Sequence, residues 1–280
     1  MDRKIKKYFI GRPSQDGAGV KLYRTFGYYE IPEYDPFLMM DFFDSTNPDE
    51  YIKGFPWHPH RGIETVTYLI SGRIEHQDSL GNKGVIGDGD CQWMTAGSGI
   101  LHQEMPKASS RMLGVQIWLN LHKKDKMTSP KYGDITKDMI PVYRDDKEAV
   151  HIIAGSYKGL IGPMEGGKEI EPTFFDVELN PNEEFVFNID SSFNAYAFLI
   201  EGEANFDVEE EKIISYPNGV LYEDGDTIRI NTKDKAARFL LLAGKKINEP
   251  VAWGGPIVMN TKEELSLAFK ELDEGTFIKK

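Results

Sequence analysis

The sequence is poor in the residues that define several protein classes. It has one cysteine, Cys91, in 280 residues, so no internal disulfide can form and the chain suits a reducing compartment. No stretch approaches the roughly 18–20 apolar residues of a membrane-spanning helix. The start, Met1 to Tyr8, is basic but lacks the apolar run of a secretory signal. Positive charge is in deficit, 33 Lys and Arg against 45 Asp and Glu, for a net charge of −12. So acidic a chain repels phosphate backbones, which disfavours direct nucleic-acid binding and leaves small molecules or proteins as partners. Together these absences predict a cytoplasmic protein that needs neither membrane nor nucleic acid. Histidine is scarce too: there are six, and none follows His151.

What the chain has in quantity is strand texture. Hydrophobic residues make up 40% and aromatics 12%, enough to fill one large core or two of about 100–150 residues each. Apolar, β-branched segments such as Phe37–Phe43, Glu64–Ile70, Gln92–Ala96 and Leu113–Leu121 recur at short intervals, separated by glycine-rich turns. That pattern predicts antiparallel barrels or sandwiches. It also repeats loosely. Tyr68-Leu69-Ile70-Ser71-Gly72 and Phe198-Leu199-Ile200-Glu201-Gly202 both end an apolar strand with a polar residue and glycine, and a Gly-Asp turn follows each. Two copies of one barrel design fit the length. The expected division is residues 1–130 for the first barrel, 131–145 for a charged linker and 146–280 for the second. The latter would end in a helix over Thr261–Leu272, where Thr261 and Glu264 form a capping-box pattern.

Three of the six histidines fall in two short segments, Phe55-Pro56-Trp57-His58-Pro59-His60-Arg61-Gly62-Ile63-Glu64 and Gly99-Ile100-Leu101-His102-Gln103-Glu104. On a strand, residues i and i+2 share a face, so His58 pairs with His60 and His102 with Glu104. Four such groups converging inside a barrel make a metal site of nitrogen and oxygen ligands. A lone His-x-His is weak evidence by itself. Pro59, which stiffens the segment, the second histidine–carboxylate pair and the glycines before His102 strengthen it. His76, His122 and His151 read as ordinary cavity-edge, surface or core groups, and Arg61 as the partner of a nearby carboxylate. Trp57, Trp93 and Trp118 read as core, and Cys91 as a buried, inert thiol.

Gly54 through Gly72 is similar to the first cupin motif, and Gly89 through His102 to a loosened second one. Beyond that general pattern, His58 through Leu69, Gln92 through Pro106, Gln116 through Leu121 and Gly255 through Thr261 resemble the pirin family. The resemblance is dense over residues 37–121, thin through 122–250, and returns near the C-terminus. It implies an all-β bicupin, two tandem antiparallel barrels with a short C-terminal helix and one mononuclear metal in the N-terminal barrel. In pirins the ligands are three histidines and a glutamate, which fall here on His58, His60, His102 and Glu104. The general cupin pattern makes Glu64 a ligand instead; the pirin pattern leaves Glu64 as a hydrogen-bonding neighbour. Iron(II) is the implied metal, and the same donors accept manganese, nickel, zinc or copper. The second half has no His-x-His and no histidine after His151, so it holds no such site.

The resemblance implies two functions. One is a flavonol 2,3-dioxygenase of the quercetin type, in which Glu104 helps to deprotonate the metal-bound hydroxyl and ring cleavage by dioxygen releases carbon monoxide. The other is a metal- or redox-responsive regulator that binds a protein partner.

Overall fold

The computed structural model describes residues 1–280 except Glu165, Lys168, Glu211 and Lys280. Strands dominate, the only α-helix among the described residues is Lys262–Asp273, and no described helix is long and apolar enough to cross a membrane. The chain divides into two compact units, each discontinuous in sequence. One contains Arg12–Lys137 and Ile247–Lys280; the other contains Met1–Gly11 and Asp138–Lys246.

The first unit is a barrel of two antiparallel sheets. The larger has seven strands, in the order Lys131–Ile135, Cys91–Thr95, Ile63–Ser71, Met112–Asn120, Phe37–Ser45, Val20–Phe26 and Arg12–Asp16. The smaller has four, in the order Phe55–His60, Ile100–Pro106, Ile74–Asp78 and Lys83–Ile86. Apolar alternation gives each sheet a buried face. Leu22, Phe43, Leu69, Ile74 and Met112 form one packed cluster, and Leu38, Ile63, Met94, Ile100 and Val258 another. At about 25 cal/mol per Å² of apolar surface removed from water, such clusters drive closure of the barrel.

In the second unit, the strand Ile5–Ile10 pairs with Asn218–Tyr222 and leads a sheet that continues through Phe193–Asn205, Ala237–Lys245, Thr173–Leu179, Glu148–Ala154 and Val142–Arg144. Its core is aliphatic and aromatic throughout, with Val150, Phe175, Phe185, Leu199 and Phe239 among the buried residues.

This organisation departs from the expected boundaries at three places. The N-terminal strand belongs with the second unit, because its backbone pairs with residues more than 200 positions away. The capped helix belongs with the first, where Ala268 packs with Ile257, Met259 and Phe277. Residues 131–145 are not a linker: Lys131–Ile135 completes the seven-stranded sheet beside Cys91–Thr95, and Val142–Arg144 pairs with Glu148–Ala154. The helix itself forms as the sequence predicts, with Thr261 accepting from the Glu264 amide and Glu264 returning a bond to the cap.

Candidate metal centre

The strand Ile100–Pro106 alternates strictly, with Ile100, His102, Glu104 and Pro106 buried and the residues between them partly exposed. Its neighbour Phe55–His60 runs antiparallel, and the register sets His58 opposite His102 and His60 opposite Ile100. Two His-bearing strands side by side therefore bring three imidazoles together. The ring centroids of His58 and His102 lie 4.3 Å apart, those of His58 and His60 4.8 Å, and those of His60 and His102 5.0 Å. Their ligating nitrogens all fall within 4.8 Å of one another.

Hydrogen bonds orient two of these rings. His58 Nδ1 lies 2.8 Å from the Pro56 carbonyl and His60 Nδ1 lies 3.1 Å from the Pro256 carbonyl. A carbonyl only accepts, so each Nδ1 carries the hydrogen and each Nε2 keeps a free lone pair, the usual arrangement around a metal. His102 is 1% exposed, and neither ring nitrogen has a hydrogen-bond partner among the described residues. A buried imidazole in that state is costly unless something binds it. Burial lowers the proton affinity of His60 to about 3 and pushes His102 down as well. Neutral rings are ligand-competent. The donor set fits a metal ion.

Glu104 lies outside the tight group of three nitrogens and lines the same cavity. Its Oε1 accepts from Thr67 Oγ1 at 2.9 Å, and Thr67 Oγ1 also meets Gln116 Oε1 at 2.5 Å. One hydroxyl proton cannot serve two acceptors, so the Gln116 amide turned to donate to Thr67 completes the chain Gln116–Thr67–Glu104. Burial pushes the Glu104 carboxyl up, opposed by His58 and the Thr67 bond. Glu64 sits elsewhere: it accepts from Thr95 Oγ1 at 2.7 Å, and strand alternation sets it on the opposite face from Thr67.

The cavity in front of these groups measures about 730 Å³, the size of a small-molecule pocket. Trp57, Trp118 and Trp253 line it. That corrects the expectation for Trp57, which is 47% exposed, whereas Trp118 is half-buried, packs against the cluster of Leu38, Ile63 and Met94, and also stands edge-on to His60 at 5.0 Å. Sequence reasoning missed Arg24 and Asp41, a two-pronged ion pair at 2.8 and 2.7 Å on the cavity wall. The signal was there: Asp41 interrupts the apolar run Phe37–Phe43 and, at 3% exposure, requires a cation.

The remaining candidates have other roles. His76 is buried and stacked on Tyr132 at 4.4 Å, outside the cavity lining. His122 and His151 pair at 3.3 Å with Glu249 and Glu178. Arg61 does pair with a carboxylate, Glu271, at 2.7 Å, and also donates to the Ser98 and Phe277 carbonyls. Cys91 is a buried free thiol whose pKa burial raises.

The model of the pirin family matches residues 19–119, and that of the pirin C-terminal cupin domain matches residues 174–278. A pirin-like protein of Caulobacter vibrioides is 43% identical over 278 residues, spanning 98% of this chain and 99% of that one. A pirin-like protein of Solanum lycopersicum is 38% identical over 274 residues, spanning 98% and 92%. The crystal structure of a quercetin 2,3-dioxygenase from Acinetobacter baumannii superposes with a TM-score of 0.90 at 29% identity, covering 99% of both chains.

Proposed function

The chain belongs to the pirin family, and from that premise we propose that it holds one iron ion and opens flavonols with dioxygen. His58 and His60 would hold the ion through Nε2 and His102 through one of its two unpartnered nitrogens, with Glu104 as the oxygen ligand. One observation carries the reading: three imidazoles lie with their nitrogens within 4.8 Å of one another, two of them oriented by backbone carbonyls and lining a cavity of about 730 Å³, the third buried beside them without a partner. The likeness to a quercetin 2,3-dioxygenase of known structure supports the substrate class.

When bound, the metal supplies a Lewis acid for a substrate oxygen and a site for dioxygen. The chain supplies the rest. Trp57, Trp118 and Trp253 give flat apolar walls on which an aromatic substrate stacks. Glu104, held by Thr67 and raised in proton affinity by burial, accepts the substrate's hydroxyl proton. A carboxylate bound to an ion is a weaker base, so Glu104 would serve as base only where it is not itself a ligand. Arg24, neutralised by Asp41 and Asp16, adds polar wall without a net positive charge.

The test is oxygen uptake. Iron-loaded protein, shown to hold one metal per chain, consumes oxygen when quercetin is added, and His58→Ala abolishes this. Metal-loaded protein that consumes no oxygen with any flavonol tried would refute the substrate assignment.

A further inference from the structure

A row of aromatic rings runs from the metal centre to the surface. The imidazole of His60 meets Trp118 edge to face with centroids 5.0 Å apart, and Trp118 meets Trp253 at 5.6 Å. Trp253 meets Tyr28 at 5.7 Å, and Tyr28 meets Tyr29 at 5.5 Å. Aromatic contact stabilises packing, but packing explains neither end of this row. It begins on a candidate metal-ligating ring and ends in two phenols that are 59% and 86% exposed. The aromatic cluster of the second unit is built differently: there Tyr157 packs among Phe175, Phe185 and Phe187 inside the core.

Composition distinguishes the two clusters chemically. Tryptophan and tyrosine give up an electron far more readily than phenylalanine, and rings in van der Waals contact exchange electrons efficiently. Every ring between His60 and the solvent is Trp or Tyr. The proton arrangement suits the task as well. Trp253 Nε1 donates to the Gly255 carbonyl at 2.7 Å; a carbonyl is too weak a base to remove the indole proton, so an oxidised Trp253 stays strongly oxidising. The phenols of Tyr28 and Tyr29 meet water, which takes their protons.

We propose that this row carries oxidising equivalents, one electron at a time, from an oxidant at the metal centre to Tyr28 and Tyr29. The proposal rests on the metal-centre reading above. With hydrogen peroxide as oxidant the step balances. Each tyrosine loses one electron inward through Trp253 and Trp118 and its phenolic proton to water. Two electrons and two protons cleave the peroxide O–O bond and give two waters. Each phenoxyl radical is restored by a hydrogen atom from a small donor of the thiol or ascorbate class. The chain thereby gains a second, peroxidase-like activity toward donors that reach Tyr28 and Tyr29 from solvent, and its ligands are protected when no organic substrate is present.

The experiment uses the full, iron-loaded chain. Metal content is measured first, then hydrogen peroxide is added with a nitrone spin trap, and the trapped sites are mapped by mass spectrometry. The expected result is adducts on Tyr28 and Tyr29 that are absent from metal-free protein and lost in Trp118→Phe and Trp253→Phe, while both variants still bind one iron per chain. The exposed-end double variant Tyr28→Phe/Tyr29→Phe leaves the core untouched and should lose the tyrosyl signal in electron paramagnetic resonance. Adducts undiminished in both tryptophan variants, or confined to the cavity-lining Trp57 and Met39, overturn the proposal. A chain that binds no iron overturns the metal-centre reading and the proposal with it, and elemental analysis shows that before any trap is added.

Discussion

At the scale of single residues, buried polar groups mark where the molecule is under tension. His102 has two ring nitrogens without partners at 1% exposure, so the apo centre carries a desolvation cost that a ligand relieves. A metal at about 100 times its dissociation constant should stabilise the protein by about 2.7 kcal/mol. Thermal unfolding with and without chelator checks this, and His102→Ala should abolish the difference. Lys126 is the contrary case. Its ammonium is 1% exposed and donates to the carbonyls of Gly62 and Val258 and to Asn120 Oδ1. The three acceptors favour the charged form, yet burial wins and lowers its pKa from 10.5 to about 7. The unfolded chain then binds the proton more tightly between those values, so this group makes stability rise with pH from about 7 to about 10.5. In Lys126→Met that rise should flatten, and loss of the donor from buried acceptors should cost about 1–3 kcal/mol, both read from denaturant unfolding across pH. The sequence could not reveal this lysine. It sits in the charged stretch His122–Lys126, which reads as solvated surface, and its acceptors lie up to 132 positions away. Asp41 was readable by contrast, because its immediate neighbours are all apolar.

Elements were more legible than single residues, because their periodicity is local. Alternation on Ile100–Pro106 sets His102 and Glu104 on one buried face as expected, and the capping box starts the last helix where Thr261 predicts. What local pattern does not encode is docking. The C-terminal segment returns to the metal strand through contacts with no sequence signature: Val258 N donates to the Arg61 carbonyl, and Arg61 holds Glu271 and the Phe277 carbonyl. Gly62 is the tightest point. Its φ is +77°, and a Cβ there would sit 2.0 Å from the Val258 carbonyl oxygen. Gly62→Ala must push that segment away, and the Pro256 carbonyl that orients His60 moves with it. The expected outcome is a stability loss of about 1–3 kcal/mol or more and metal affinity weakened about 10–100-fold, measured by metal titration. Glu271 gives a pH signature at the same junction. The contact with Lys279 is the largest effect and outweighs burial, and Arg61 adds to it, so the carboxyl is held below its usual range. A depressed carboxylate contributes stability above the unfolded pKa and loses it as pH falls through the folded one. Glu271→Gln should therefore narrow the stability difference between pH 7 and pH 3 in acid-unfolding curves.

At the scale of the whole molecule, the number of barrels was legible in the repeated strand–glycine pattern, and the chain's path between them was not. A strand's propensity says that it will pair, not with which partner. Ile5–Ile10 finds its partner at Asn218–Tyr222, where Phe9 stacks on Phe198 at 6.2 Å and Arg3 donates to the carbonyls of Gly225 and Asp190. The candidate histidines and the Pro256 carbonyl all belong to Arg12–Lys137 and Ile247–Lys280. Two truncations therefore separate a contiguous division from the crossed one. Removing residues 1–11 strips a paired strand from the second unit and leaves an open sheet edge, so denaturant unfolding should show a new, early transition while metal stoichiometry stays at one. Removing residues 262–280 takes Glu271 and Phe277 from Arg61, next to His60, so metal affinity should fall while the second unit keeps its unfolding midpoint. If the chain were divided at residues 131–145, the two truncations would exchange their effects. Metal titration and unfolding curves on both variants decide between the two arrangements.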